Sequence, residues 1–107
     1  MTQFDNREQA FERKFAVDEE TRFKIMARRD KLLAEWAAGL MGLSGGDVDS
    51  YTKELVKAAL QEAGDEDLFR KLRADFDAKG VDLSDHQIRR EIEAKGEEAH
   101  QQFVKPN

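Results

Sequence analysis

The sequence predicts an all-α protein, a four-helix bundle preceded by an N-terminal helical arm. Apolar residues recur at steps of three and four, and this spacing places them on one face of successive helices. No segment alternates apolar and polar residues as a half-buried strand would. The single proline among the 107 residues is Pro106, so no proline interrupts a helix before the tail. Short loops between the helices are typical of a bundle.

The longest predicted helix runs from Asp18 to Gly42, and the other helices are expected to pack on it. The Asp18 carboxylate can accept hydrogen bonds from the amides of the first turn, and Gly42 can end the helix in the left-handed conformation. The residues expected on its apolar face are Phe23, Met26, Ala27, Leu33, Trp36, Ala37, Leu40 and Met41. A face this wide is expected to be buried, so it predicts the centre of the core.

Three shorter helices are predicted to complete a bundle domain over residues 18–104. Their expected bounds are Asp47 to about Ala63, Asp65 to Gly80, and Ser84 to the tail. Ser84 and Gln87 have the spacing of a capping box, in which each side chain binds the other's backbone amide. Gly96 lies inside the last helix and costs it roughly 1 kcal/mol relative to alanine, which predicts that this helix frays towards its end.

Composition and charge exclude several classes of function. The chain has no cysteine, which removes disulfides, thiolate nucleophiles and cysteine zinc sites. Basic and acidic residues balance in residues 1–43, so residues 44–107 carry the whole net charge of −5. An acidic body repels phosphate backbones, and a nucleic-acid partner is therefore not expected. Because neither a signal peptide nor an apolar run of about 18 residues occurs, we expect a cytoplasmic protein that does not insert into a membrane.

The sequence predicts neither a metal site nor an enzyme. Glu97 and His100 have the spacing of a di-iron ligand pair, but the second such pair is missing. The stretch from Asp75 to His86 has the outline of a calcium loop, yet Lys79 occupies a ligand position and His86 replaces the closing glutamate. No phosphate-binding loop and no motif for an activated nucleophile is recognisable.

A basic cluster on the longest helix has two interpretations. Arg28, Arg29 and Lys31 lie close together in the sequence, and such charge runs usually form a solvated helix face. The alternative is an anion or phosphate site, because guanidinium groups match phosphate oxygens in geometry. In that interpretation Trp36 or Tyr51 could stack on a base, and the nucleotide-binding residues would be Arg28, Arg29, Lys31 and Trp36.

Residues 1–17 predict a helix of a different kind. Phe4, Phe11 and Phe15 are seven and four positions apart, so they share one helix face among charged residues. A narrow aromatic stripe of this type is typical of a helix that docks in a groove of a partner. It equally fits a fifth helix whose phenylalanines join the core of the bundle. The residues alone leave both alternatives open.

Four blocks of the sequence, taken together, resemble one known family. They are FDNREQAFERKFAVDEE, FKIMARRDKLLAEWAAGLMG, GDEDLFRKLRADFDAKGV and LSDHQIRREI. In order and spacing, from Phe4 to about Glu93, they are similar to the zeta subunit of alphaproteobacterial F-type ATP synthases, a small inhibitor of ATP hydrolysis. The resemblance implies a four-helix bundle with an inhibitory N-terminal segment, which falls on Thr2 to Lys14 in this chain.

The resemblance also implies a mechanism, partners and a location. The inhibitory segment would insert as a helix between alpha and beta subunits of the catalytic head, reach towards the gamma subunit and block rotation, without a required cofactor. The residues expected to bind the partner are Phe4, Arg7, Phe11, Lys14 and Phe15. The family is associated with ADP or ATP binding by the free bundle, so a nucleotide-responsive regulatory bundle is the alternative function. The protein would reach the inner membrane only through the ATP synthase.

Overall fold

Four α-helices account for most of the structure, a computed structural model that describes residues 18–61 and 64–104. In chain order they are α1 (Glu19–Met41), α2 (Gly46–Ala59), α3 (Glu66–Ala78) and α4 (Asp85–Phe103). The predicted all-α, four-helix fold is therefore confirmed. The predicted N-terminal arm, residues 1–17, lies outside the described residues, and its separation from the bundle as a domain stays a prediction.

Both ends of α1 are fixed by the residues that the sequence indicates. The Asp18 side chain accepts a hydrogen bond from the Thr21 backbone amide at 2.7 Å, and this bond lowers the pKa of the Asp18 carboxyl. Gly42 has φ of 76°, in the left-handed region, and its amide bonds back to carbonyls of the last turn. The first helix thus begins and ends as predicted because its signals are local.

The ends of the shorter helices agree only in part with the ends predicted from the sequence. The capping box of α4 is present: Gln87 N donates to Ser84 Oγ at 3.1 Å, and Ser84 N donates to Gln87 Oε1 at 2.9 Å. In contrast, α2 ends at Ala59 rather than near Ala63. Gly96 does not interrupt α4, which continues to Phe103, and the fraying expected towards the end of this helix stays a prediction.

The core lies between all four helices. Its fully or almost fully buried members are Leu33, Ala34, Ala37, Tyr51, Leu55, Leu68, Phe69, Leu72, Phe76, Ile88 and Ile92. Trp36 packs edge-on against Phe76, with ring centroids 5.5 Å apart and an interplanar angle of 88°. This arrangement is favourable for two aromatic rings, and it joins α1 to α3 at the centre of the bundle.

The buried face of α1 differs from the predicted one. Phe23, Met26, Ala27 and Leu40 were expected in the core, but all four are exposed. The residues that α1 buries are Ile25, Arg29, Asp30, Leu33, Ala34, Ala37 and Ala38. The prediction considered only apolar residues for the inner face, and it took no account of how far the neighbouring helices reach.

Helix length explains why part of this face stays exposed. α1 has 23 residues and α4 has 19, whereas α2 has 14 and α3 has 13. Phe23, Met26, Asp30, Leu33 and Ala37 follow one another at steps of three and four, so they form one row along α1. The row is buried from Asp30 onwards and exposed at its first two members. The shorter helices therefore cover only the C-terminal part of α1.

No helix within the described ranges is long and apolar enough to cross a membrane.

Candidate functional site

The two sets of predicted site residues have different outcomes in the structure. The partner-binding set, Phe4, Arg7, Phe11, Lys14 and Phe15, lies outside the described residues, so its role stays a prediction. The nucleotide-binding set, Arg28, Arg29, Lys31 and Trp36, lies entirely within α1.

Arg29 is a buried structural residue rather than a surface cation. Its side chain is only 7% exposed. The Nε atom donates to Asp30 Oδ1 at 3.1 Å, and Nη1 donates to Asp65 Oδ1 at 2.9 Å. Asp65 lies directly before α3, so the guanidinium links two elements that are 36 residues apart. Because these carboxylates occupy the guanidinium, Arg29 is not placed to receive a phosphate.

Asp30 depends on Arg29 for its charge. Its side chain is 5% exposed, and burial raises the pKa of its carboxyl, while the neighbouring guanidinium opposes that rise. Buried charges are retained when they are paired and hydrogen-bonded, which is the arrangement seen here. We call Arg29, Asp30 and Asp65 the ionic junction.

The other three members of the predicted nucleotide set do not converge on one site. Arg28 is half-buried, and its guanidinium carbon lies 5.9 Å from the centre of the Phe103 ring. Lys31 is exposed. Trp36 packs on Phe76 and lines a separate cavity. Tyr51, the second aromatic considered for stacking, is buried and donates to Asp75 Oδ2 at 2.7 Å. ADP or ATP binding stays a prediction, and the geometry of these side chains gives it no support.

The cavity beside Trp36 lies between α1, α4 and the loop before α4. It measures about 410 Å³, and its lining residues are Trp36, Leu40, Leu83, Gln87, Arg90, Glu91 and Ala94. Glu91 Oε2 has no hydrogen-bond partner in the described part of the chain, although Lys95 Nζ lies 3.6 Å from it. The cavity combines an aromatic face with groups of both charges, so it has no strong preference for an anion.

Large apolar side chains are exposed at the other end of α1. Phe23 is 65% exposed, Met26 is 43% exposed and Phe103 of α4 is 39% exposed. Gly96 lies against the Arg29 side chain and Phe103 lies near Arg28, so the start of α1 runs beside the end of α4. Phe23 and Met26 are three residues apart and lie on one side of α1, and we call these two residues the uncovered face.

The stretches considered as metal sites hold other contacts. Asp75 lies inside α3, where it accepts a hydrogen bond from Tyr51 and forms an ion pair with Lys71 at 3.1 Å. Among the described residues, no group of three or more histidine, cysteine or acidic side chains is arranged to hold a metal ion.

These features indicate the class of protein to which the chain belongs. The described charged groups mainly hold helices together, and the uncovered face offers apolar surface for contact, as expected of a small helical binding protein. The chain matches the family described as ATPase inhibitor subunit zeta over residues 1–102, and it belongs to that family. It is therefore an inhibitor subunit and not an enzyme, as the resemblance implied.

One solved structure agrees with this assignment. A protein whose solution structure was determined by NMR is 38% identical to the chain, with a TM-score of 0.67. The match covers 76% of this chain and 92% of the other. None of the curated proteins with which the chain was compared matches it.

Sequence reasoning missed the ionic junction. Arg29 and Asp30 lie at the three- and four-residue steps that lead to Leu33 and Ala37, which is the signal that could have placed them inside. The carboxylate of Asp65 could not have been assigned to Arg29 in this way, because periodicity carries no information on contacts between distant segments.

Proposed function

We propose that this chain inhibits ATP hydrolysis by the catalytic head of an F-type ATP synthase, with residues 1–17 as the inhibitory arm and the bundle as its carrier. One observation carries the proposal. The family match begins at residue 1, whereas the core that the structure describes is formed by residues between Leu33 and Ile92. The family therefore shares a segment that precedes this core, which supports a role for the arm outside the bundle.

The arm would act as a wedge. A helix of 17 residues is about 25 Å long, and the bundle begins directly after it, which limits how deeply the arm can enter a groove. Phe4, Phe11 and Phe15 would fill apolar pockets between an alpha and a beta subunit, because buried aromatics contribute most to such contacts. Arg7 and Lys14 would set the orientation through charges at the rim. A wedge that reaches the gamma subunit would block rotation without any chemical step.

The test is ATP hydrolysis by the isolated catalytic head from the same organism, titrated with four forms of the chain. We expect inhibition by the full chain and none after removal of residues 1–14. Phe11→Ala should raise the half-inhibitory concentration at least tenfold, since a central aromatic contributes about 2 kcal/mol and 1.4 kcal/mol is tenfold. The matched control is Leu60→Ala, an apolar residue that is 69% exposed in the described structure.

Helix content measured by circular dichroism verifies that each form is folded. Equal inhibition by the full and the shortened chain would contradict the assignment of the arm. An absence of inhibition by the full chain would contradict the proposed function as a whole.

A further inference from the structure

The cavity beside Trp36 has the form of a short groove between α1 and α4. Gln87 and Ala94 are seven residues apart on α4, so they lie in one row and form a floor about 10 Å long. Trp36 and Leu40 are four residues apart on α1 and form an apolar wall along this floor. Leu83, in the loop before α4, adds apolar surface near Gln87. A ligand in this groove would therefore meet mainly apolar atoms.

Opposite charges flank the floor of the groove. Arg90 and Glu91 come three and four residues after Gln87, so they lie on the two sides of the row that Gln87 begins. Arg90 is exposed, and within the described part of the chain no carboxylate pairs with its guanidinium. Glu91 is half-buried, and its Oε2 atom has no hydrogen-bond partner among the described residues, although Lys95 Nζ lies 3.6 Å away. One side of the groove therefore lacks an acceptor and the other side lacks a donor.

These groups favour a neutral ligand over a charged one. An anion would be attracted by Arg90 and repelled by Glu91, and a cation would meet the opposite combination. A peptide group carries no net charge, and its C=O can accept from Arg90 while its N–H can donate to Glu91. Three extended residues span about 10 Å, which is the length of the floor. The side chain of the middle residue would then lie against the indole ring of Trp36.

We propose that this groove binds a short extended segment of a protein partner, with a large apolar side chain against Trp36 and Leu40 and its flanking peptide groups between Arg90 and Glu91. Burial of the apolar side chain supplies most of the affinity, and Leu40, which is 45% exposed, is accessible for this contact. The two charges fix the direction of the segment, because only one orientation of a peptide group satisfies both. The site does not depend on the proposed function, since it requires no residue of the inhibitory arm.

The experiment is a titration of the full-length chain with acetyl-Ala-Leu-Ala-amide, a neutral segment of the proposed length. Trp36 is the only tryptophan of the chain, so its fluorescence reports on the groove. We expect a change that saturates with a Kd of about 1 mM. Acetyl-Ala-Ser-Ala-amide should bind at least about tenfold more weakly, because it offers no apolar side chain for burial. An absence of saturation, or equal affinity for the two peptides, would overturn the proposal.

Two pairs of variants test the floor and the flanking charge. Ala94→Leu fills the groove and should weaken binding of the leucine peptide at least about tenfold, whereas Ala74→Leu, at an exposed alanine of α3, should leave the Kd unchanged. Arg90→Ala removes a charged donor and should weaken binding about fivefold, whereas Arg22→Ala, at an exposed arginine of α1, should have no effect. Circular dichroism verifies that each variant is folded. Equal effects within either pair would overturn the site.

Other occupants of the groove would give different results. Free leucine has both charges but no flanking peptide groups, and an affinity equal to that of the blocked peptide would overturn the proposal in favour of an amino-acid site. A change of Trp36 fluorescence on dilution of the chain without peptide would overturn it in favour of a second copy. Tighter peptide binding by Phe11→Ala would overturn it in favour of the chain's own arm, because the variant would then have released the groove.

Discussion

At the scale of single residues, Arg29 determines how the start of α1 is attached to the rest of the bundle. Its guanidinium bonds Asp30 on the same helix and Asp65 before α3, and its aliphatic stem lies against Gly96 of α4. A long side chain can combine a polar end with an apolar stem in this way. Arg29 thereby joins α1 to the residue before α3 and to α4.

Arg29→Met should lower the free energy of unfolding at pH 7 by about 3–5 kcal/mol, because it leaves the buried carboxylate of Asp30 without its cation. The pKa of Asp30, already raised by burial, should rise further. Asp30 would then bind a proton more tightly in the folded than in the unfolded state, whose pKa is about 3.9, so the stability of the variant should fall as pH rises above that value. Urea unfolding at pH 4 and pH 7 measures both effects.

Arg22→Met is the matched control, an exposed arginine on the same helix, and it should change stability by less than about 0.5 kcal/mol. Adding Asp30→Leu to Arg29→Met should recover part of the loss, since it removes the uncompensated charge. A loss that is the same at pH 4 and pH 7 would show that the charge of Asp30 is not the cause.

The sequence could not have predicted this junction completely. Asp30 follows Arg29 directly, but the third partner, Asp65, lies in another segment of the chain, and no local rule pairs the two. A prediction that places all charged residues at the surface also interprets Arg28, Arg29 and Lys31 as a surface site. The general rule that buried charges are rare is sound, yet it fails at a position where both charges are paired.

At the scale of the helices, the ends that depend on local signals were predicted well and the others were not. Asp18, Gly42 and Ser84 act through backbone groups within a few residues, so the sequence contains the whole interaction. The end of α2 was predicted from Gly64, which has φ of 93°. The helix stops at Ala59 instead, so a glycine suited to a helix end does not by itself fix where the helix ends.

Gly96→Ala should stabilise the protein by about 0.5–1 kcal/mol, because alanine is the better helix former and α4 is helical at this position. A Cβ atom there would lie 3.5 Å from Arg29 Cδ, an ordinary van der Waals distance. Urea unfolding measures the change. Gly39→Ala on α1, where nothing lies within 4 Å of the added Cβ, is the matched control and should gain a similar amount.

Larger side chains should have different effects on stability at the two glycine positions. Gly96→Leu is expected to displace Arg29 from the ionic junction and to lower stability, whereas Gly39→Leu has open space. Equal effects of leucine at both positions would contradict the packing role that we assign to Gly96.

At the scale of the whole molecule, the ionic junction divides the bundle into two parts. On one side lies the core shared by four helices, from Leu33 to Ile92. On the other side the start of α1 runs beside the end of α4, where Ile25 and Ala99 are buried outside the main core. The number of helices and their order could be read from the sequence. The unequal reach of the helices, and hence the uncovered face, depends on how they pack.

Native-state hydrogen exchange should reveal this division in the full-length chain. We expect amides at residues 23–27 of α1 to exchange through local opening at a lower free energy than amides at residues 33–37 of the same helix, because two helices bury less apolar surface than four. Phe23→Ser with Met26→Ser should lower protection further at residues 23–27 and leave residues 33–37 unchanged, since only the first group borders the uncovered face. Uniform protection along α1 would show that the junction does not separate two cooperative units. The arm would then be attached to a bundle that opens only as a whole.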